Sequence, residues 1–197
     1  MSKGEETKER IIQQAAELFN KQGYAGTSMS DIMQVTGLKK GGIYNHFQNK
    51  DELALQAFDY AVSLISYRYR IALLSKRNAV ERLQAIVQVF VSYIEKPPLK
   101  GGCPLLNTAV ESDHTHPALR KRAQEAMNSW YDMIRRVVQK GITRGEISPD
   151  IDPEQVATVT IAIFEGGLMM TQLHGNSIYL KRAMTHLSQY IESLALR

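Results

Sequence analysis

Apolar residues recur at spacings of three and four along almost the whole chain, and no stretch alternates with the period of two that marks a half-buried strand. Ile11, Ile12, Ala15, Leu18 and Phe19 trace one face of a first helix, and "KQGYAGT" ends it with Gly23 near the C-cap. Ser28, followed three residues later by Asp31, makes an acidic version of the capping box. It opens a short helix with Met29, Ile32 and Met33 on its apolar side. "TGLKK" breaks that helix, and Ile43 and Phe47, four apart, mark the inward side of a third short one. Asn49 caps a longer helix carrying Leu55, Phe58, Val62 and Ile65.

The remaining helices are longer. Asn78 with Glu81 opens a run through Leu83, Ile86, Val87, Phe90, Val91 and Ile94, and "EKPPLKGG" is a linker. Cys103–Pro104, His116–Pro117 and Asp152–Pro153 each place a capping residue before a proline at the first helical position. The pattern predicts an all-α fold of about nine helices. An N-terminal three-helix helix-turn-helix domain over residues 1–50 is joined to a larger helical domain over 51–197.

Composition changes this picture little. Of 197 residues, 44% are hydrophobic, enough for a sizeable core, and the formal net charge is +4. Residues 1–50 hold seven Lys/Arg and five Asp/Glu, half of the surplus, so charge alone does not locate a nucleic-acid site. The single cysteine excludes an internal disulfide. The charged start "MSKGEETKER" has no apolar core of a secretory signal, and no apolar run approaches the roughly 18 residues of a membrane helix. A cytoplasmic protein without membrane attachment is expected.

The informative segment is "TSMSDIMQVTGLKKGGIYNHFQNKDEL". Two short helices flank a tight turn containing Gly37, the arrangement of a helix-turn-helix. A recognition helix must bring its N-terminal backbone close to phosphates and base edges, and Gly41 and Gly42 remove bulk there. Lys39, Lys40 and Lys50 supply charge, and Tyr44, Asn45 and His46 hydrogen-bonding groups, while Ile43 and Phe47 hold the opposite side. A solvated helix face accounts for any one of these residues, but not for their concurrence.

With "F.KQGYAGTS" and "DI...TGL.KGG.IY.HF..K..L", residues 8–55 closely resemble the DNA-binding segment of the tetracycline-repressor (TetR) family of bacterial regulators. The resemblance implies a dimeric, all-helical repressor of double-stranded DNA, released from a palindromic operator by a small-molecule effector in the larger domain. It implies phosphate contacts at Thr27 and Ser28, a phosphate and backbone set of Lys40, Gly41, Tyr44, His46 and Lys50, and base contacts near Gly42 and Asn45. Many members carry an aromatic residue where Asn45 stands, and an amide there suits a bidentate contact to adenine.

The same resemblance makes the last two long helices the dimer surface, with Phe164, Gly166, Gly167, Leu187 and Ile191 as its candidates. Close packing of the glycine pair against another helix of the same chain is the alternative. Phe90, Met127, Trp130 and Tyr131 are core residues or line the effector pocket. "GGCPLLN" is similar to a Gly-Cys motif in a subset of the family, which makes Cys103 a candidate electrophile or redox sensor; an inert buried thiol is the other reading. Glu111, Asp113, His114 and His116 lack ordered ligand spacing, so no metal and no cofactor are expected. No catalytic motif appears, so an enzyme is not expected; an architectural DNA binder without an effector is the alternative of a different class.

Overall fold

The computed structural model describes residues 2–112 and 116–196. Among them nine helices follow one another: α1 (Lys3–Gly26), α2 (Met29–Thr36), α3 (Lys40–Tyr44), α4 (Lys50–Leu74), α5 (Ala79–Ser92), α6 (Pro104–Ser112), α7 (Pro117–Thr143), α8 (Pro153–His174) and α9 (Ile178–Ser193). No strand forms among the described residues beyond an isolated antiparallel bridge between Ile147 and Ala195. Local chemistry sets the helix starts. Asn49, Asn78 and Asp152 each accept a backbone N–H of the first turn of the helix they precede. The Nδ1 of His116 accepts Leu119 N–H and caps α7.

The chain divides into two compact units, Met1–Leu64 with Pro98–Ala126, and Ile65–Pro97 with Met127–Arg197. This differs from a division at residue 50. The segment holding α6 returns to the first three helices because its polar side chains complete the end of α1. Asn20 is 8% exposed, and its amide donates to Lys100 O and Gly102 O. Asn107 answers by donating to Asn20 O, Asn20 Oδ1 and Gly101 O. Gly101 adopts φ +103° and lies so close that a Cβ would meet Asn20 O at 2.7 Å. Leu99 joins Ile11, Ile32, Ile43, Phe47 and Leu53 in the core of this unit.

In the second unit α8 and α9 form a close antiparallel pair. A Cβ on Gly167 would meet the Cβ of Ala183 at 2.7 Å, so glycine is what lets the helices touch. Leu180, Met184, Leu187 and Ile191 are buried in this unit's core. An aromatic cluster of Tyr69, Phe90, Tyr93, Trp130 and Phe164 fills its middle, with Phe90 and Phe164 stacked at 3.9 Å. By length and composition alone α8 is apolar enough to cross a membrane, with a mean hydropathy of 1.4, a test that the core helix of a globular protein also passes. One side of α8 is core, at Val156, Thr160, Phe164 and Leu168; Ala162, Met169, Met170 and Leu173 stay exposed on others.

Candidate nucleic-acid interface

The helix-turn-helix is built by two local devices. At the start of α2, Ser28 Oγ accepts Asp31 N–H at 3.1 Å while Asp31 Oδ2 accepts Ser28 N–H at 2.7 Å, a reciprocal capping box. The side-chain hydrogen bond from Ser28, and then the backbone one, hold the Asp31 carboxyl below its ordinary range. At the end of α2, Gly37 takes φ +67° and turns the chain, and Thr36 Oγ1 donates back to Ile32 O at 2.7 Å. Ile43 and Phe47, 1% and 2% exposed, then press α3 onto Ile11 and Ile32.

The outward side of α3 is bare. Lys39, Lys40, Gly41, Tyr44 and Asn45 are exposed, and Gly42 and His46 half-buried. A Cβ on Gly41 would meet nothing within 4 Å, whereas one on Gly42 would rest in ordinary contact on Leu38 at 3.5 Å. The fold therefore gives no reason for glycine at 41. Lys39, the N-cap, makes no side-chain capping bond, which leaves the first amides of α3 without a side-chain acceptor. The Lys40 ammonium lies 5.6 Å from the centre of the Tyr44 ring.

Three residues carried over from the family resemblance have partners inside the chain. Thr27 is 1% exposed and its hydroxyl donates to Gly23 O at 2.7 Å, so it builds the turn before α2. Ser28 is exposed but its hydroxyl serves the capping box. Lys50 Nζ donates to Tyr24 O at 2.5 Å and sits 4.1 Å over the Tyr24 ring. Around that ring gather Asp51, which accepts the Tyr24 hydroxyl, and His116, edge-on at 4.7 Å. Burial first, and Asp51 second, push the Tyr24 phenol up to about 12.

Glu111 on α6 is the residue that local sequence reasoning missed. Gly23 breaks α1 with φ +78°, and a Cβ there would meet the Glu111 carboxylate at 2.7 Å. Past this kink, Glu111 Oε2 accepts Tyr24 N–H and Oε1 accepts Ala25 N–H, both at 2.8 Å. The carboxylate thus caps the first amides of the short turn that resumes past the kink, 87 residues earlier in the chain. The only local hint is the glycine at which the helix is expected to stop.

Phe90 and Trp130 belong to the packed aromatic cluster, while Met127 and Tyr131 are half-buried beside it, with Tyr131 Oη donating to Glu154 O. Cys103 is 3% exposed at the head of α6, so an electrophile reaches its sulfur only if this segment opens. Phe164, Leu187 and Ile191 are buried in the second unit's own core and Gly167 packs on α9, so these four are already covered within the chain. Gly166 is different, since a Cβ there would meet nothing within 4 Å. Asp113 and His114 lie outside the described residues, and no metal-holding group of three occurs among the described ones.

Residues 11–57 match the family described as bacterial regulatory proteins, tetR family, and residues 79–187 match the tetracyclin repressor-like C-terminal domain. A crystal structure of a TetR transcriptional regulator from Chloroflexus aurantiacus is 49% identical, covering 99% of this chain and 98% of that one, with a TM-score of 0.95. A TetR-family regulator from Cytophaga hutchinsonii is 35% identical over 100% of this chain and 98% of its own, with a TM-score of 0.90. The HTH-type transcriptional regulator LmrA of Bacillus subtilis is 27% identical over the full length of both chains.

Proposed function

The chain belongs to the TetR family and is a DNA-binding transcriptional regulator, not an enzyme, and we propose that it acts as a homodimeric repressor that leaves a palindromic operator when a small-molecule effector binds its second unit. The observation that carries this is Gly41. A glycine inside a helix costs up to about 1 kcal/mol relative to alanine, and no contact among the described residues requires it. The space beside it suits a DNA backbone, with Lys39 and Lys40 as cations facing phosphate. Asn45, exposed two residues past the lone buried Ile43, is the side chain placed to read a base edge.

The dimer reading is supported by the surplus apolar surface of α8. Ala162, Gly166, Met169, Met170 and Leu173 recur at helical spacing and remain open, with Met169 at 52% and Leu173 at 77% exposed. A second copy of this face covers it and sets two recognition helices about 34–36 Å apart, or somewhat more, matching a palindromic site. The effector reading is supported by two orphaned polar groups. Trp130 Nε1 and Thr160 Oγ1 are buried, and neither has a hydrogen-bond partner among the described residues. Leaving such a group unpaired costs about 1–3 kcal/mol, which a ligand bearing hydrogen-bonding groups among these rings recovers. A cytoplasmic location accords with this role.

An electrophoretic shift on fragments of the gene's own upstream region tests the proposal. Sequence-selective retardation that weakens steeply with salt is the expected outcome. Equal retardation of any duplex overturns the operator reading in favour of an architectural role. Cys103→Ala separates the two switches, because a variant that still releases DNA with inducer has no cysteine switch.

A further inference from the structure

A second concentration of positive charge lies in the second unit. A cavity of about 410 Å³ opens between the first turn of α5, the last turns of α7 and the loop after α7. Arg82, Arg136, Lys140 and Arg144 line it against only two carboxylates, Asp132 and Glu146. That surplus of two is half of the formal surplus of the whole chain.

Both carboxylates are engaged. Asp132 accepts Arg135 Nε at 3.1 Å and lies 3.6 Å from an Arg136 guanidinium nitrogen. Glu146 Oε2 accepts Ala79 N–H at 2.7 Å and closes the first turn of α5. Arg82, Lys140 and Arg144 have no carboxylate partner among the described residues. These like charges are held together by a stiff frame. A Cβ on Gly141 would meet the Cβ of Ala79 at 2.5 Å, so the start of α5 lies flush on α7. The Gly141 carbonyl then accepts Glu146 N–H at 2.8 Å, which fixes the loop that carries Arg144. Leu73, Met133 and Val137 add an apolar wall.

Cations gathered by rigid backbone in excess of the carboxylates beside them repel one another, and a compact anion relieves that repulsion. The volume falls in the range of small-molecule sites, about 300–1,000 Å³, and guanidinium groups match oxyanions in bidentate fashion. We infer that this cavity binds a small organic anion carrying two negative charges on one headgroup, a phosphate monoester with a short apolar body. The headgroup lies among Arg82, Lys140 and Arg144, and the body rests on Leu73 and Val137. This does not depend on the operator reading, since binding is measured without DNA.

Isothermal titration of the full chain with phenyl phosphate, at constant ionic strength because exposed charges are screened over about 10 Å, is the test. Saturation at one site per chain is expected, with affinity above that for inorganic phosphate. Arg144→Gln weakens it about tenfold, equivalent to 1.4 kcal/mol, and Arg82→Gln/Arg144→Gln weakens it further. Lys121→Gln, outside the cavity, leaves it unchanged. Arg144 is exposed on the loop, so if the double variant fails to fold the single one still decides. Three results overturn the proposal: no saturation, equal affinity in Arg144→Gln and Lys121→Gln, or an Arg144→Gln defect seen only in DNA binding.

Discussion

Glu111→Ala tests how the first unit is held, without touching any group proposed to meet DNA. The carboxylate accepts two backbone N–H groups, from Tyr24 and Ala25, each at 2.8 Å. Hydrogen bonds to a charged acceptor contribute about 1.5–3 kcal/mol each. The Ala25 bond is exposed, and both amides find water once the carboxylate is gone, so the lower end applies. The end of α1 is then expected to open more easily by about 3 kcal/mol for the two bonds together, roughly 150-fold in the local equilibrium. Amide hydrogen exchange at Tyr24 and Ala25 reads this directly, against residues of α5 as an internal reference. Operator affinity should fall in the same variant, because the turn carrying Ser28 loses its support and the binding-competent arrangement becomes less populated. A folded variant whose exchange at Tyr24 and Ala25 changes by less than about threefold refutes the reasoning.

Gly41→Ala should act in opposite directions on stability and function: a thermal midpoint raised by about 2–4 °C for up to about 1 kcal/mol, and weaker operator binding by fluorescence anisotropy. Lys40→Ala should lower affinity for all sequences and reduce the salt slope by about one, whereas Asn45→Ala should mainly relax base preference, read by competition with substituted operators. Gly166→Leu, placed in open space, should shift the protein from dimer to monomer in sedimentation with helix content unchanged, while Gly167→Leu should lose helix content as it meets Ala183. The Tyr24 phenol is raised from 10.0 to about 12. The folded state therefore keeps a proton that the unfolded chain gives up, and stability present below pH 10 should be lost as pH rises towards 12. Tyr24→Phe should flatten that part of the denaturation profile.

What the sequence discloses follows the range of the interactions. Capping at Ser28, Asn49, Asn78 and Asp152 is legible because donor and acceptor are two or three residues apart. The helix-turn-helix is legible for the same reason, since its cap, its Gly37 turn and both short helices fall within a single stretch. Long-range partners are not. Nothing near Lys50 in the sequence discloses that its ammonium lies on Tyr24 O, 26 residues away. Periodicity marks Leu187 and Ile191 as apolar but says nothing of what covers them, and the chain's own core does. The Gly166–Gly167 pair splits, one residue facing α9 and the other open space, a distinction visible only once α9 is in place.

The first unit is assembled from two separated stretches of chain, and that constrains its birth. During synthesis the N-terminal helices emerge well before Leu99, Asn107 and Glu111. Until then Asn20, Tyr24 and Ala25 have no partner on α6, and the core among Ile11, Ile32 and Phe47 stays open on the side that Leu99 closes. Vectorial folding of this unit therefore waits until roughly residue 126 has left the ribosome. A chain arrested earlier exposes the recognition helix on an unfinished scaffold.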